Sequence, residues 1–563
     1  MQVLTPSKTY DVCIVGSGAG GGMAAYSLTE SGADCVLLEG GPKWSVDTDG
    51  AMFKWNHESP RRGASHRGRP FGEFDACLGG WDIPGEPYTV AEGSEFMWFR
   101  GRMLGGRTNH WGRISLRFGP HDFKARSRDG LGDDWPIAYD DVKPYYDRLD
   151  RMIGLFGTNE GLENEPDGIF MPPPAPRAHE LLVKKACDEL SVTCIPSRIA
   201  ILTKPHNGRA ACHYCSQCGR GCSTYSMFTT PTVLLPPALK TGRLDLRTGA
   251  MVREVTTDED GRCTGVTYVD TASGRYRHVR AKVVVLAASA CESARILLNS
   301  RSSRFPNGLA NGSGAVGRYL TDTTGSRMSA HVPSLESRPA YNEDGTGNMH
   351  LYMPWWGDNR KLDFPRGYHI EFGGGRGMPG YGFGGGIHRL NGGGYGKALK
   401  DDYRRYYGSV VSFAGRGEMI PNDDSYCDID PKAVDRWGIP VLRFHWKWSE
   451  HEILQVKHQH ETFQAIIEKI GGRALFPVPG REEDHGITKG GEIIHEVGTT
   501  RMGTSPRTSV LNEWCQAHEV KNLFVADGGP FVTNAHKNCT WTILALAWRT
   551  AEHIALERKK GNL

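Results

Sequence analysis

The sequence predicts an α/β protein built around a Rossmann-like domain, with a second domain intertwined with the first. An apolar run, residues 12–15, has the character of a buried strand that breaks into glycines and resumes as a helix-forming segment through Leu28. A second apolar run, residues 279–288, leads into a helix start at Ser289. At 563 residues the chain is too long for one compact unit. These observations together indicate a strand–helix–strand domain within a chain of two domains.

The glycines of the opening turn match a dinucleotide-binding fingerprint. Gly16, Gly18 and Gly21 follow G-x-G-x-x-G, a pattern that permits a tight turn, close approach to a pyrophosphate and close helix packing. The helix start supplies free N–H groups and a partial positive charge for the phosphates. A second strand, residues 35–39, ends at Glu39, which is placed to hold a ribose hydroxyl pair. The unit predicts a dinucleotide ligand and leaves both NAD and FAD open.

The composition sets limits on partners and location. The formal net charge of +3 is small for this length, and the basic residues are scattered, so nothing indicates a nucleic acid partner. No apolar run approaches the roughly 20 residues that a membrane-spanning helix needs, so we expect no direct membrane span. The first eight residues lack the charged and apolar regions of a signal peptide, and we expect no export signal on this chain.

Four of the 14 cysteines lie close together in the sequence, at Cys212, Cys215, Cys218 and Cys222. Their spacing, C-x2-C-x2-C-x3-C, is that of bacterial ferredoxin loops. Structural zinc sites usually take two pairs of ligands from separated segments. An iron–sulfur cluster is therefore the favoured prediction, and a zinc site or structural thiols and disulfides are the alternatives. Ser223 replaces the usual proline after the fourth cysteine, which leaves the number of ligands within the loop open.

Residues 100–113 carry a second glycine-containing motif, R-G-R-M-L-G-G-R-T-N-H-W-G-R. The paired glycines after Leu104 let the backbone approach a flat or charged ligand closely. With the opening fingerprint, this segment resembles the glucose–methanol–choline (GMC) oxidoreductases, which use FAD to oxidise alcohols and sugars. The resemblance moves the predicted cofactor to FAD. With the closing segment described next, it places the cofactor-binding residues at Gly16, Gly18, Ala19, Gly21, Glu39, Gly40, Arg102, Gly105, Gly106, Asn109, His110, Trp111, Gly112, Asp527, Gly528, Asn538 and Thr540.

The C-terminal stretch matches the closing signature of the same family. Residues 495–503 follow H-x-x-G-T-x-x-M-G, and the resemblance implies that His495 is the catalytic histidine. Asn538 falls on its histidine-or-asparagine partner, and the helix start at Thr540 is expected under the flavin. A neutral imidazole suits removal of a hydroxyl proton. The asparagine amide cannot take that proton, but it can orient and polarise the hydroxyl.

The resemblance implies an FAD-binding Rossmann-like domain interleaved with an α+β substrate domain that carries an antiparallel sheet. We expect the FAD-binding domain at residues 1–45, 95–120, 225–330 and 490–563. The substrate domain and lid are expected at 46–94, 121–224 and 331–489, with the iron–sulfur loop at 212–222. The tract 373–396 holds too many glycines for a regular element. It is either a mobile lid or a long loop packed on the substrate domain.

The phrase beginning at Asp134-Trp-Pro, together with the cysteine loop, is typical of the bacterial sugar-dehydrogenase branch. Glucoside 3-dehydrogenases resemble the chain most, followed by gluconate and glucose dehydrogenase catalytic subunits. This resemblance implies a [3Fe–4S] cluster on Cys212, Cys218 and Cys222, with Cys215 as the remaining candidate ligand. The predicted reaction oxidises a secondary hydroxyl of a sugar or glycoside, with the C3 hydroxyl of a glucoside as the specific expectation. Hydride goes to FAD, and electrons leave through the cluster. The alternative is a sugar or alcohol oxidase that uses oxygen and has a structural cysteine loop.

The same branch implies the partners of the chain. A cytochrome-type protein is the expected electron acceptor. A small subunit carrying an export signal is expected to bring the chain to the periplasm, with a cytoplasmic location as the alternative. Some family members link FAD covalently to a histidine at the position of His110, but most of this branch does not need the link, so we expect non-covalent FAD.

Overall fold

The computed structural model describes residues 8–50, 78–338, 345–354, 362–376 and 395–563, together with positions 52, 54, 55, 58, 387 and 390. Most of the glycine-rich tract at 373–396 lies outside the described residues, and the question of a lid falls there with it. Along the described chain, no helix combines the length and the apolar character needed to cross a membrane.

The strands of the described chain are, in order, β1 (Thr9–Val15), β2 (Cys35–Glu39), β3 (Gly79–Gly80), β4 (Thr89–Val90), β5 (Arg100–Gly101), β6 (Ile195–Pro196), β7 (Leu244–Thr248), β8 (Ala250–Thr257), β9 (Cys263–Asp270), β10 (Arg275–Leu286), β11 (Thr324–His331), β12 (Leu351–Met353), β13 (Tyr368–Gly374), β14 (Val410–Gly417), β15 (Tyr426–Val434), β16 (Pro440–His445), β17 (Arg473–Ala474) and β18 (Leu523–Val525).

The α-helices of the same residues are α1 (Ala19–Glu30), α2 (Val46–Asp49), α3 (Pro120–Phe123), α4 (Ala125–Asp129), α5 (Tyr139–Ile153), α6 (Ala178–Glu189), α7 (Thr230–Val233), α8 (Leu235–Lys240), α9 (Ala290–Asn299), α10 (Gly396–Tyr406), α11 (Glu450–Lys469) and α12 (Thr540–Lys559). Short 3-10 turns at Gly106–Asn109 and Cys218–Arg220 lie in segments that the sequence singles out.

A seven-stranded sheet contains the glycine fingerprint. Its order is β7–β2–β1–β10–β9–β8, with β18 also paired to β10. The pairs β1–β2, β1–β10, β2–β7 and β10–β18 are parallel. Strand β2 is buried along its whole length, as expected for a parallel strand covered on both faces. Helices α1 and α12 pack against each other. The predicted Rossmann-like domain is confirmed.

A six-stranded sheet forms the second unit. Its order is β17–β11–β14–β13–β12–β6, and every neighbouring pair is antiparallel. Helix α11 covers one face of this sheet, and Phe463 from the helix packs with Phe413 of β14. The α11 start is a capping box, in which Ser449 and Glu452 satisfy each other's backbone N–H groups. The predicted antiparallel sheet of the substrate domain is confirmed.

The chain passes between the two sheets more than once. It builds β1 and β2 in the first sheet, returns there for β7 to β10, builds β11 to β14 in the second, and ends again in the first with β18. The predicted domain boundary at residue 330 falls inside β11, and β11 belongs to the six-stranded sheet. A three-stranded sheet of β15, β16 and β4 and a short β3–β5 pair complete the sheets of the described chain.

Candidate active site

A cavity of about 560 Å³ is lined by residues of both large sheets. The seven-stranded sheet contributes the β1–α1 turn, the end of β2 and the end of β10. The six-stranded sheet contributes Glu371 of β13 and Arg416 of β14. Segments near residues 106–114, 493–496 and 538–543 also line it. The fingerprint and the catalytic residues predicted from opposite ends of the chain therefore share one cavity.

The fingerprint glycines have different surroundings. At Gly16, φ is +97°, and an added Cβ would lie 2.4 Å from the carbonyl oxygen of Ala287. At Gly21, an added Cβ would lie 1.9 Å from the carbonyl oxygen of Gly16, so this glycine permits the helix to pack on the strand. Gly18 caps α1 and has open space beside it. The open position lies at a helix N-terminus, which is where a pyrophosphate would bind.

Glu39 connects the fingerprint to the second glycine motif. One of its carboxylate oxygens accepts hydrogen bonds from the Ser17 amide at 3.2 Å and from Ser17 Oγ at 2.5 Å. The other oxygen accepts from the Gly41 amide at 2.8 Å. Ser17 Oγ in turn accepts from the Gly105 amide at 2.8 Å. Burial raises the pKa of Glu39, and these hydrogen bonds only partly oppose that effect.

Most of the predicted cofactor-binding residues line the cavity. They are Gly16, Gly18, Ala19, Glu39, Gly40, Arg102, Gly106, His110, Trp111, Gly112, Asp527, Gly528, Asn538 and Thr540. Gly21, Gly105 and Asn109 do not line the cavity themselves. Gly105 has φ +88° beside Pro231, and the Asn109 amide donates to the carbonyl oxygens of Leu104 and Gly106. These three residues shape the turns that carry the lining residues.

His495 sits on a loop that is held from several sides. Its Nδ1 lies 3.0 Å from Thr323 Oγ1, and its amide donates to Asp322 Oδ1 at 3.0 Å. The Asn534 amide donates to its carbonyl oxygen at 3.0 Å. The preceding residue, Ile494, has φ +66°, a strained conformation for a β-branched residue. The surroundings therefore determine both the backbone and the ring orientation of His495.

The electrostatic surroundings keep the His495 imidazole neutral. Burial and the Arg416 guanidinium lower its pKa to about 3. The Glu371 carboxylate opposes this effect, while His369 and Arg107 add to it. An imidazole with so low a pKa is unprotonated throughout the physiological range, which is the form that a general base requires.

Asn538 precedes α12 and faces His495. Its Nδ2 lies 3.3 Å from His495 Nε2 and 3.5 Å from Glu371 Oε1. Its Oδ1 is buried and makes no hydrogen bond to the described residues. This oxygen lines the cavity with the rest of the side chain, so a bound hydroxyl or cofactor group would supply its partner.

Several residues of this site are not predicted from the sequence. Glu371 and Arg416 line the cavity, and Thr323 and Asp322 contact His495. Arg107 donates to the Ile494 carbonyl at 3.1 Å and to the Glu496 carboxylate at 2.6 Å, holding the same loop from the other side. His369 and Glu371 are two residues apart in β13, so they lie on one face of the strand. This spacing is the local sequence signal for a polar site at β13.

The four clustered cysteines lie beside the cavity wall. Gly219, next to Cys218, lines the cavity. The loop bends through residues with positive φ at Tyr214, Ser216 and Gly221. All four thiols are free, and Cys218 is buried while the others are half-buried. Burial raises the pKa of Cys212 to about 11. At Cys222 hydrogen bonds from Ser226 and Thr224 outweigh burial and lower the thiol pKa.

The spacing of these sulfurs bears on the zinc alternative. No three of the four sulfur atoms, all within the described chain, lie within 4.8 Å of one another. Around one tetrahedral zinc ion, sulfurs bound at about 2.3 Å would be only about 3.8 Å apart. A multi-iron cluster holds its cysteines farther apart than a single ion does. The four thiols are therefore not arranged as a tetrahedral zinc site, and the iron–sulfur assignment stays a prediction.

A second group of possible metal ligands lies behind Asn538. Among the described residues, Asp122, Glu418 and His536 are the group whose ligand atoms converge within 4.8 Å. Lys537 Nζ lies 2.7 Å from Asp122, and an Arg366 nitrogen lies 2.6 Å from Glu418. These cations already compensate the two carboxylates, so we assign this group to a buried ion-pair network that supports the Asn538 segment.

Comparison with known proteins agrees with this geometry. The family described as GMC oxidoreductase matches residues 19–324 with its N-terminal part and 421–547 with its C-terminal part. The chain is 31% identical to a 2-methyl-1,2-propanediol dehydrogenase of Mycolicibacterium austroafricanum, over 98% of this chain and 96% of that protein. It is 26% identical to the fructose dehydrogenase large subunit of Gluconobacter japonicus, over 98% of both.

Among solved structures, a formate oxidase of Aspergillus oryzae RIB40, examined for its FAD modification, superimposes with a TM-score of 0.65. The match covers both chains entirely at 16% identity, and it supports the fold alone. Together the two matched ranges cover most of the chain, and they include Gly21, the second glycine motif at 100–113 and the His495–Asn538 region. The chain therefore belongs to the GMC oxidoreductase family, as an FAD-dependent oxidoreductase of sugars or alcohols.

Proposed function

We propose that this protein is a dehydrogenase that oxidises a secondary hydroxyl of a sugar or glycoside, most specifically the C3 hydroxyl of a glucoside to the 3-keto product. The single observation that carries the proposal is the neutral imidazole of His495, placed 3.3 Å from Asn538 in the cavity that the dinucleotide fingerprint lines. Bound FAD supplies the hydride acceptor for this reaction.

The chain's own residues hold and move the proton. When His495 Nδ1–H donates to Thr323 Oγ1, the lone pair of Nε2 is left facing Asn538 and the cavity. A substrate hydroxyl in the cavity, in contact with both Nε2 and the Asn538 amide, would donate its proton to Nε2 and accept from the amide. Glu371 is the nearby anion that favours the imidazolium formed in this step. Removal of the hydroxyl proton makes loss of hydride from the same carbon easier.

The cysteine loop supports an acceptor other than oxygen. Gly219 brings the loop to the cavity wall, and an iron–sulfur cluster there would carry electrons singly to a cytochrome-type partner. The alternative is a sugar or alcohol oxidase that reduces oxygen and whose cysteine loop is only structural. We further propose export to the periplasm with a small signal-bearing subunit. A protein found only in the cytosol when produced with that subunit would contradict this proposal.

A substrate panel tests the proposal. Purified holoenzyme is mixed with glucosides, free sugars and simple alcohols, with an artificial electron acceptor, in air and under argon. We expect reduction of the acceptor with glycosides and a 3-keto product identified by NMR. Stoichiometric hydrogen peroxide in air would instead support the oxidase. Oxidation at another carbon would preserve the enzyme class and overturn the C3 assignment.

A further inference from the structure

We infer that Glu371 and Arg416 form a subsite for the hydroxyl next to the one that is oxidised, so that the enzyme selects vicinal diols over simple alcohols. The inference deepens the proposed function and rests on it for the position of the reacting hydroxyl. In this subsite the second hydroxyl of the substrate would bridge the Glu371 carboxylate and the Arg416 guanidinium, and both residues line the cavity.

The strand pairing brings the two charges together. Arg416 of β14 lies directly opposite His369 of β13, and Glu371 is two residues farther along β13 on the same face. Arg416 Nη2 lies 3.4 Å from Glu371 Oε2. The Arg416 side chain is 8% exposed and that of Glu371 is 16% exposed. Because the sheet places both side chains, a ligand need not order them.

The Glu371–Arg416 pair lies close to His495, with Asn538 in contact with both His495 and Glu371. Asn538 Nδ2 is 3.3 Å from His495 Nε2 and 3.5 Å from Glu371 Oε1. The carboxylate is thus within two hydrogen-bond lengths of the imidazole nitrogen. The hydroxyl oxygens on neighbouring carbons are about one hydrogen-bond length apart. A vicinal diol can therefore contact both His495 and Glu371, whereas a simple alcohol can contact only one of them.

The ion pair is loose enough to admit a hydroxyl. A charge-assisted N–H···O bond is usually about 2.7–2.9 Å long, which is well below the 3.4 Å separation of this pair. At Oε1, the contacts with His369 Nε2 at 3.2 Å and Asn538 Nδ2 at 3.5 Å are also long. A hydroxyl both donates and accepts, so it can donate to Oε2 and accept from Nη2.

The carboxylate is ionised when the substrate binds. Burial raises the pKa of Glu371, but Arg416 and His369 outweigh burial and bring it to about 2. Arg327 on β11 is a further cation that interacts electrostatically with Glu371. The subsite therefore offers a permanent acceptor next to a permanent donor. We expect a matched diol to bind about 10- to 100-fold more tightly than the alcohol that lacks the second hydroxyl.

The test measures binding without turnover. The probes are 2,3-dimethylbutane-2,3-diol and 2,3-dimethylbutan-2-ol, which share a carbon skeleton and carry no hydrogen on a hydroxyl-bearing carbon. Neither can donate hydride, so each is titrated into oxidised holoenzyme while the flavin absorption spectrum is recorded. The diol should bind more tightly to the wild type, and Glu371→Gln should weaken diol binding about 10- to 100-fold while weakening the mono-alcohol less than about threefold.

Matched variants separate the subsite from general damage. Arg416→Lys keeps the charge but loses the fork geometry, and it should also reduce the preference for the diol. Glu492→Gln is the control, because Glu492 pairs with Arg327 at 3.3 Å and does not line the cavity. FAD content and the thermal unfolding midpoint confirm that each variant is folded.

The outcomes distinguish the inference from the proposed function. Equal affinity of the wild type for both probes, or an equal loss of both in Glu371→Gln, would overturn the diol subsite. A clear diol preference in a protein whose flavin no glycoside or sugar reduces would support the subsite and overturn the sugar dehydrogenase proposal.

Discussion

The Nε2 atom of His495 lies 3.3 Å from the side-chain nitrogen of Asn538. The first residue belongs to a loop held by Asp322 and Arg107, and the second comes two residues before the first residue of α12. Both side chains line the cavity of the dinucleotide fingerprint. The His495 imidazole and the Asn538 amide therefore face the same part of the cavity, where one hydroxyl can contact both.

Replacement of His495 by alanine should slow flavin reduction by about 10²–10⁴-fold, since this is the usual loss when a general base is removed. FAD should be retained, because the fingerprint turn and Glu39 are unchanged. Anaerobic stopped-flow with a sugar substrate measures the rate. His451→Ala, on the exposed side of α11, is the control. Near-normal flavin reduction in the His495 variant would refute the assignment.

The rate of flavin reduction should not vary with pH in the way expected for a histidine of ordinary pKa. With its pKa lowered to about 3, His495 stays neutral from pH 8 to pH 5. The rate constant at saturating substrate should therefore be flat over that range, whereas a base with the usual pKa of about 6.5 would lose about 30-fold at pH 5. A fall centred near pH 6.5 would contradict the assigned environment.

The same pKa has a consequence for stability. The unfolded chain takes up a proton at this histidine near pH 6.5, but the folded protein does so only near pH 3. The contribution of His495 to the free energy of unfolding therefore decreases as the pH falls from about 6.5 to about 3. Urea unfolding of wild type and His495→Gln at several pH values checks this: the variant should lose less stability between pH 6.5 and pH 4.

Thr323→Val should weaken the base without removing it. The substitution deletes the hydroxyl that lies 3.0 Å from His495 Nδ1 and preserves the side-chain shape. We expect about a 10-fold lower rate of flavin reduction, since the ring loses the contact that fixes its orientation and tautomer. Substrate affinity should change little.

Thr321→Val is the matched control for Thr323→Val. The Thr321 hydroxyl is buried without a hydrogen bond to the described residues, so its loss should leave the rate unchanged. Equal effects of the two substitutions would show that packing, and not the hydrogen bond to His495, accounts for any loss.

Cys218→Ser tests the cluster. If the loop holds iron, the purified protein is brown, and the substitution should remove iron and abolish turnover with a protein acceptor. Reduction of the flavin by substrate should persist, because that step needs only the His495 side of the cavity. Cys263→Ser, on β9 of the seven-stranded sheet, is the control. A yellow wild-type protein with stoichiometric zinc, prepared anaerobically with ample iron, would contradict the cluster.

The sequence predicts those parts of the fold and site that short segments encode. The fingerprint occupies a single turn, and the parallel strand that follows it is a continuous apolar run. Both can therefore be recognised from short segments of the sequence. The sequence identifies His495 and Asn538 because their neighbours match a signature. It does not identify Glu371 and Arg416, because their proximity depends on the pairing register of β13 and β14. A shift of one residue between the two strands would leave the two side chains on opposite faces of the sheet.

The placement of His495 makes its position depend on how the two large sheets pack together. Its loop is held on one side by Asp322, at the entrance to the six-stranded sheet, and on the other by Arg107, beside the nucleotide fingerprint. Each of these anchors depends on a different half of the molecule. A change in the position of either half would therefore move the His495 imidazole, even where the glycine turn at residues 16–21 is undisturbed.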